Sequence, residues 1–220
     1  MAHWAFRRLA SMLSRDGFHV LRFDWSGTGD SWGETTDGTF ETWLADIGLA
    51  AQELRDASAA RSVAIVGMRL GAALAALACA QGLEAERLVL WEPVVTGRRY
   101  IAELEALHDR EQLRLLHSAA GRGDDLVGFA FPAALRGSIE GIDLGTTPPR
   151  NVENVAIVSS TERSDHRALR ETLERAGCKA RYECVPEDPS ATNAGAREAA
   201  LLTTRSLSTI ADYLAGRLAS

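Results

Sequence analysis

The sequence predicts an α/β protein built on a mostly parallel sheet, and three features carry that expectation. Apolar, strand-favouring runs alternate with helical patterns of about ten residues or more, as in units whose parallel neighbours need helical crossovers. Two of the runs, Val63-Ala64-Ile65-Val66 and Val155-Ala156-Ile157-Val158, are apolar without alternation, as strands covered on both faces are. The stretch Val66-Gly67-Met68-Arg69-Leu70-Gly71-Ala72 sets two glycines across a sharp passage from strand to helix.

Taken in order, residues 2–15 form the first helix: Phe6, Leu9, Met12 and Leu13 recur three to four apart, and Asp16-Gly17 stops the pattern. Residues 18–23, Phe-His-Val-Leu-Arg-Phe, favour a strand, which Gly27, Gly29 and Gly33 end. A helix over 40–57, a strand over 62–66, a helix over 70–81 and a strand over 87–91 follow, the last ending at Glu92-Pro93. Residues 93–150 then read differently. Amphipathic helical stretches over 99–119 and 124–135 are separated by Gly-Arg-Gly-Asp-Asp and closed by Thr-Thr-Pro-Pro, which is too long for a tight crossover. The segment reads as a helical lid insertion within a single domain spanning residues 1–220. Alternation resumes with a strand over 155–158, a helix over 165–176, a strand over 180–185 and a helix over 195–218.

Bulk composition narrows the function. With 220 residues, 46% of them hydrophobic and 25% charged, the chain can bury a core under a solvated surface. A net charge of -6 with no long basic face argues against nucleic-acid binding. Cys79, Cys178 and Cys184 have neither C-x-x-C spacing nor an even count, so no metal site or disulfide framework is indicated, and reduced thiols in the cytoplasm are expected. No segment reaches the roughly 18 apolar residues of a membrane span. No cofactor motif is present either: the glycine-rich loop lacks the G-K-[ST] ending of a phosphate loop.

The order strand, Asp24-Trp25-Ser26-Gly27-Thr28-Gly29-Asp30-Ser31, helix, strand, Gly-Met-Arg-Leu-Gly-Ala, helix, strand, Trp91-Glu92-Pro93-Val94, insertion resembles the α/β-hydrolase superfamily. Within it the chain is similar to the serine-aminopeptidase-type hydrolases associated with bacterial exosortase systems, whose elbow also reads G-x-R-x-G. The resemblance implies a sheet of the α/β-hydrolase type that here lacks the strands ahead of the first helix. It also implies a gap beside the strand over 18–23, to be closed by direct re-pairing, by an upstream segment or by a partner chain. Homo-oligomerisation would be one way to close it.

Hydrolysis on such a fold needs a nucleophile at the elbow, a later acid, a histidine after the last strand and amides for the oxyanion. Arg69 stands where the serine would, and a guanidinium that stays protonated cannot attack a carbonyl. Glu92 and Asp165 are placed as candidate acids. Asp165 also suits capping of the helix that begins beside Ser164, and Glu92 suits an ion pair with Arg69. The loop after the last strand, Pro-Glu-Asp-Pro-Ser-Ala-Thr-Asn-Ala-Gly, holds no histidine. Two of three roles are therefore unfilled. Asp24 to Ser31 reads as a turn in which glycines take positive φ and Asp24 bonds the loop backbone, with Ser26 as the substitute nucleophile to weigh. The candidate ligand-binding set is Asp24, Trp25, Ser26, Met68, Arg69 and Leu70, around a small acyl or anionic molecule gripped by Arg69 at a helix N-terminus.

Overall fold

The structure is a computed structural model that describes residues 2–31, 33, 38–114, 125–126, 129–186 and 204–217. Its centre is a parallel sheet of four strands: β1 (Ala64–Met68), β2 (Ala85–Trp91), β5 (Val152–Ser159) and β6 (Lys179–Cys184), in the spatial order β1-β2-β5-β6. The strand expected over 18–23 is not part of it.

Period-two geometry sorts the apolar strand residues between two layers. Leu88 and Leu90 of β2 and Val155 and Ile157 of β5 join α3 (Leu70–Ala80) and α6 (Ser164–Arg175) in one core, which buries Ala72, Ala76, Leu169 and Leu173. Val89 and Trp91, with Ala156 and Val158, face the other way. There they meet Leu9 and Leu13 of α1 (Ala2–Arg15) and Leu207, Ile210 and Leu214 of α7 (Thr204–Leu214). Covering on both faces is why β2 and β5 carry apolar residues without alternation. Helix α2 (Phe40–Ser58) packs Ile47 against Leu74 and Ala78 of α3; its Thr39 cap and Thr42 exchange reciprocal bonds. Of the helix expected over 195–218, α7 is what the described residues show: it ends at Leu214, with Gly216 at φ 69 in the turn that follows, and residues 195–203 and 218 lie outside the described set.

Residues 18–25 form no regular element and do not pair with β1, so direct re-pairing does not close the sheet. The cause lies at the ends of the segment. Phe18 N donates to Leu13 O at the close of α1, and the Trp25 ring packs at a tilt against Trp43 of α2, which anchors the segment to helices rather than to the strand. Between it and β1 lie cavities of about 350 and 490 Å³. Val63 O accepts from Glu86 N and Arg69 N donates to Trp91 O, so odd-numbered residues turn their backbone groups toward β2. Ala64, Val66 and Met68 turn theirs to the open edge, where no described residue bonds them.

The segment 93–150 contains α4 (Gly97–Arg114), an antiparallel pair β3 (Asp125–Leu126) and β4 (Phe129–Ala130), and α5 (Ala133–Glu140). A helix over 124–135 does not form. Pro132 would sit in its interior, where it lacks a donor and clashes with the preceding turn; it takes the N-cap position of α5 instead. The helix expected over 99–119 ends at Arg114, residues 115–119 lying outside the described set. Ile101, Ile139, Ile142 and Leu144 are buried in the α3 and α6 layer, and a bridge between Thr96 and Asp143 ties the two ends of the segment together.

Candidate functional site

The passage from β1 into α3 is tight. A Cβ on Gly67 would stand 2.6 Å from Ala72 Cα and 2.7 Å from Ala72 N, and closer still to Gly71 O, so the helix lies directly on the strand end. Arg69 takes φ 54 and ψ -120, a conformation that costs a non-glycine residue about 1–3 kcal/mol. Its backbone is secured there: N donates to Trp91 O at 2.9 Å, and its carbonyl accepts from Ala72 N and Val94 N. No side chain caps α3, whose first amides and dipole face the sheet's carboxyl end.

From this turn the Arg69 guanidinium reaches α4. Nη2 donates to Glu103 Oε2 at 3.0 Å, and the group lies over the Tyr100 ring, 5.6 Å from its centroid. Burial pushes the Tyr100 hydroxyl pKa up, the Arg69 charge working the other way. Glu103 Oε1 accepts from Arg99 Nε at 3.2 Å and lies 3.8 Å from Arg163 Nη2. Asp165 accepts from Arg99 Nη1 at 3.1 Å and from both Nε and Nη2 of Arg163 at 3.1 and 3.0 Å. Burial opposes ionisation of Asp165, but the Arg163 bonds, with the charges of Arg163, His166 and Arg99, hold its carboxyl below the usual range. Three guanidinium groups thus share two carboxylates. The elbow, α4 and the start of α6 are joined through them.

Glu92 does not pair with Arg69. At φ 47 its backbone sends the carboxylate toward the end of β5, where Ser159 Oγ donates at 3.0 Å and Ser160 Oγ at 2.6 Å, while the Arg69 side chain lies over α4. Asp165 does not take the N-cap position of α6. That position belongs to Arg163, and Asp165, two residues further in, accepts from His166 N at 3.1 Å.

The glycine-rich loop forms the turn expected of it. Gly27, Gly29 and Gly33 take positive φ, and Asp24 Oδ2 accepts weakly from Asp30 N at 3.4 Å. Ser26 is fully engaged in structure: its N and Oγ donate to Asp46 at 2.8 and 2.9 Å, and its carbonyl accepts from Trp43 Nε1. Trp25 packs edge-on against Phe23. Asp24, Trp25 and Met68 line the 490 Å³ cavity, which reaches the elbow at Gly67 and Gly71, whereas Leu70 packs into the core beneath Trp43.

Among the described histidines, His166 alone is deeply buried. Its Nε2 lies 3.1 Å from Pro93 O and its Nδ1 has no partner; burial pushes its pKa below the ordinary value. A ring whose accessible nitrogen is spent on a carbonyl, inside the core, is a packing element. His117 and the loop after β6 lie outside the described residues. Sequence reading missed Tyr100, Glu103, Arg99 and Arg163. The i,i+4 spacing of Arg99 and Glu103 was its available signal, but the meeting of α4 with Arg69 and Arg163 is not local in sequence.

The model of the family described as serine aminopeptidase, S33, matches residues 2–124. The chain belongs to that family. No curated protein matches the sequence of this family member. Its fold is shared with solved α/β-hydrolase structures. An esterase of Pyrococcus furiosus superposes with a TM-score of 0.62 at 15% identity, covering 97% of this chain and 75% of the esterase. A protein of Butyrivibrio proteoclasticus, Est1E, solved with ferulic acid, has a TM-score of 0.59 at 17% identity over 82% of this chain and 73% of its own. A structure from work on the metagenome-derived lipolytic enzymes LipS and LipT has a TM-score of 0.56 at 20% identity, covering 94% and 87%. Among the described residues no helix is long and apolar enough to cross a membrane.

Proposed function

We propose that this protein is an α/β-hydrolase-fold binder rather than a serine hydrolase: Arg69 occupies the nucleophile position and holds the carboxylate of a small acyl ligand. The observation that carries the reading is the strained Arg69 turn, with its guanidinium steered by Glu103 and Tyr100 at a helix N-terminus. A rare backbone conformation kept for a side chain that cannot attack a carbonyl supports recognition over chemistry. The 490 Å³ cavity at Met68 and Gly71, lined by Trp25, Phe23 and Ile47 but not by Arg69, offers room for an acyl chain at the same turn. The resemblance to exosortase-associated hydrolases adds an accessory role in bacterial envelope or exopolysaccharide biosynthesis, and the whole of residues 93–150 serves as the lid.

An active hydrolase of ester, thioester or amide bonds is the competing reading, with Ser26 as nucleophile. The engagement of Ser26 with Asp46 weighs against it. A fluorophosphonate probe separates the two. The protein stays unlabelled if it is a binder, and Arg69→Ser gains no turnover of p-nitrophenyl esters because no described histidine bonds the elbow and the loop after the last strand carries none. Labelling of one serine in the native protein, or robust turnover by the variant, overturns the proposal.

A further inference from the structure

The contacts of Arg69 point to how its site is controlled, on the footing that it binds a carboxylate. We infer that Glu103 is a built-in competitor: it occupies the Arg69 guanidinium in the free protein, and an incoming carboxylate displaces it and loosens α4 from the elbow. Three observations lead there. Glu103 presents its two oxygens to different arginines, Oε2 to Arg69 at 3.0 Å and Oε1 to Arg99 at 3.2 Å, with Arg163 a further 3.8 Å contact. Breaking the first contact therefore leaves the carboxylate compensated, and the displacement costs little. Arg69, by contrast, has no other carboxylate partner among the described residues and keeps only the face of Tyr100, which holds its guanidinium in orientation.

The third observation is access. The Arg69 and Glu103 side chains are 39% and 37% exposed, so a solute can approach the pair from solvent. An ion pair that wet has modest net strength, which a ligand able to bond the guanidinium in bidentate fashion exceeds. The charged groups that the described residues place around the pair keep their own partners in the exchange. Arg99 on α4 and Arg163 ahead of α6 stay with Glu103 and Asp165. Glu92 remains bonded to Ser159 and Ser160. Among the described residues the contact given up is the Glu103 tie from α4 to the β1–α3 turn, while Tyr100 of the same helix stays over the guanidinium, so ligand entry removes one of two side-chain ties and loosens the start of α4.

Octanoate serves as the probe. Isothermal titration of the native protein, Glu103→Gln and Arg69→Gln at low salt is expected to give about threefold tighter binding for Glu103→Gln and no measurable binding for Arg69→Gln. Hydrogen exchange supplies a readout that a merely structural glutamate would not move. Octanoate should speed exchange in the first turns of α4 in the native protein, and Glu103→Gln should show that speed without ligand. Equal or weaker binding by Glu103→Gln, with Arg69→Gln still abolishing it, overturns the competitor while leaving the Arg69 site standing. Absence of octanoate binding by all three proteins overturns both.

Discussion

Replacing Gly67 and Gly71 by alanine, one at a time, separates the two glycines of the elbow. The new methyl of Gly67→Ala falls 2.6 and 2.7 Å from Ala72 Cα and N, all of it backbone, so no rotamer change relieves it and α3 must shift off β1. Overpacking of a core typically costs about 1–3 kcal/mol, and rigid backbone on both sides places this case at about 3. For a chain of this length that lowers Tm by about 6–12 °C. At Gly71 the nearest atom to an added Cβ is Trp25 Cζ2 at 3.7 Å, an ordinary contact. There the variant gains helix propensity of up to about 1 kcal/mol, so Tm stays level or rises by a few degrees. Differential scanning calorimetry of the three proteins decides the matter. Equal losses at both positions, or a tolerated Gly67→Ala, would refute the view that only the first glycine is demanded by helix-on-strand contact.

Other expectations follow from single contacts. His166 is held neutral by burial, its pKa below the ordinary 6.5, so the unfolded chain binds the extra proton first. Stability should therefore be full above pH 6.5 and fall as pH drops from there toward the folded value. Urea titrations of His166→Gln should lack that portion of the slope. Asp165 acts in a lower window, since its folded carboxyl sits under the ordinary 3.8: its contribution is present above that pH and lost as pH falls through the folded value. Arg163→Met should abolish that segment. Arg87 Nη1 donates to Tyr213 O at 2.6 Å and its guanidinium lies over the Tyr213 ring, which ties β2 to α7. Arg87→Ala should cost about 2 kcal/mol in chemical denaturation, and an unchanged midpoint would show the tie to be idle.

Much of the framework is local. Helix α1 follows from its apolar spacing and β5 from a run apolar on both sides, because burial on two faces leaves a mark on every residue. The other such run, Val63 to Val66, enters β1 at the open edge of the sheet, where Ala64, Ile65 and Val66 are only half-buried. Pro132 rules out a helix through 124–135 although the stretch is amphipathic. The strand-like sequence of residues 18–23 shows the limit of propensity. A strand exists only with a neighbour to bond, and here the neighbour's edge lies across two cavities.

The sequence by itself determined that Arg69 sits between strand and helix at the sheet's carboxyl end, that it cannot serve as a nucleophile, and that the loop after the last strand carries no histidine. These follow from residue identity and order alone. Tertiary structure decided what Arg69 touches. Glu92, its expected partner at the adjacent strand end, turns away because one backbone dihedral at φ 47 aims it at Ser159 and Ser160. Glu103, 34 positions along the chain, takes its place because α4 folds back over the elbow. A side chain reaches only a few ångströms, so its charge partner is set by the packing of helices, which no local pattern encodes.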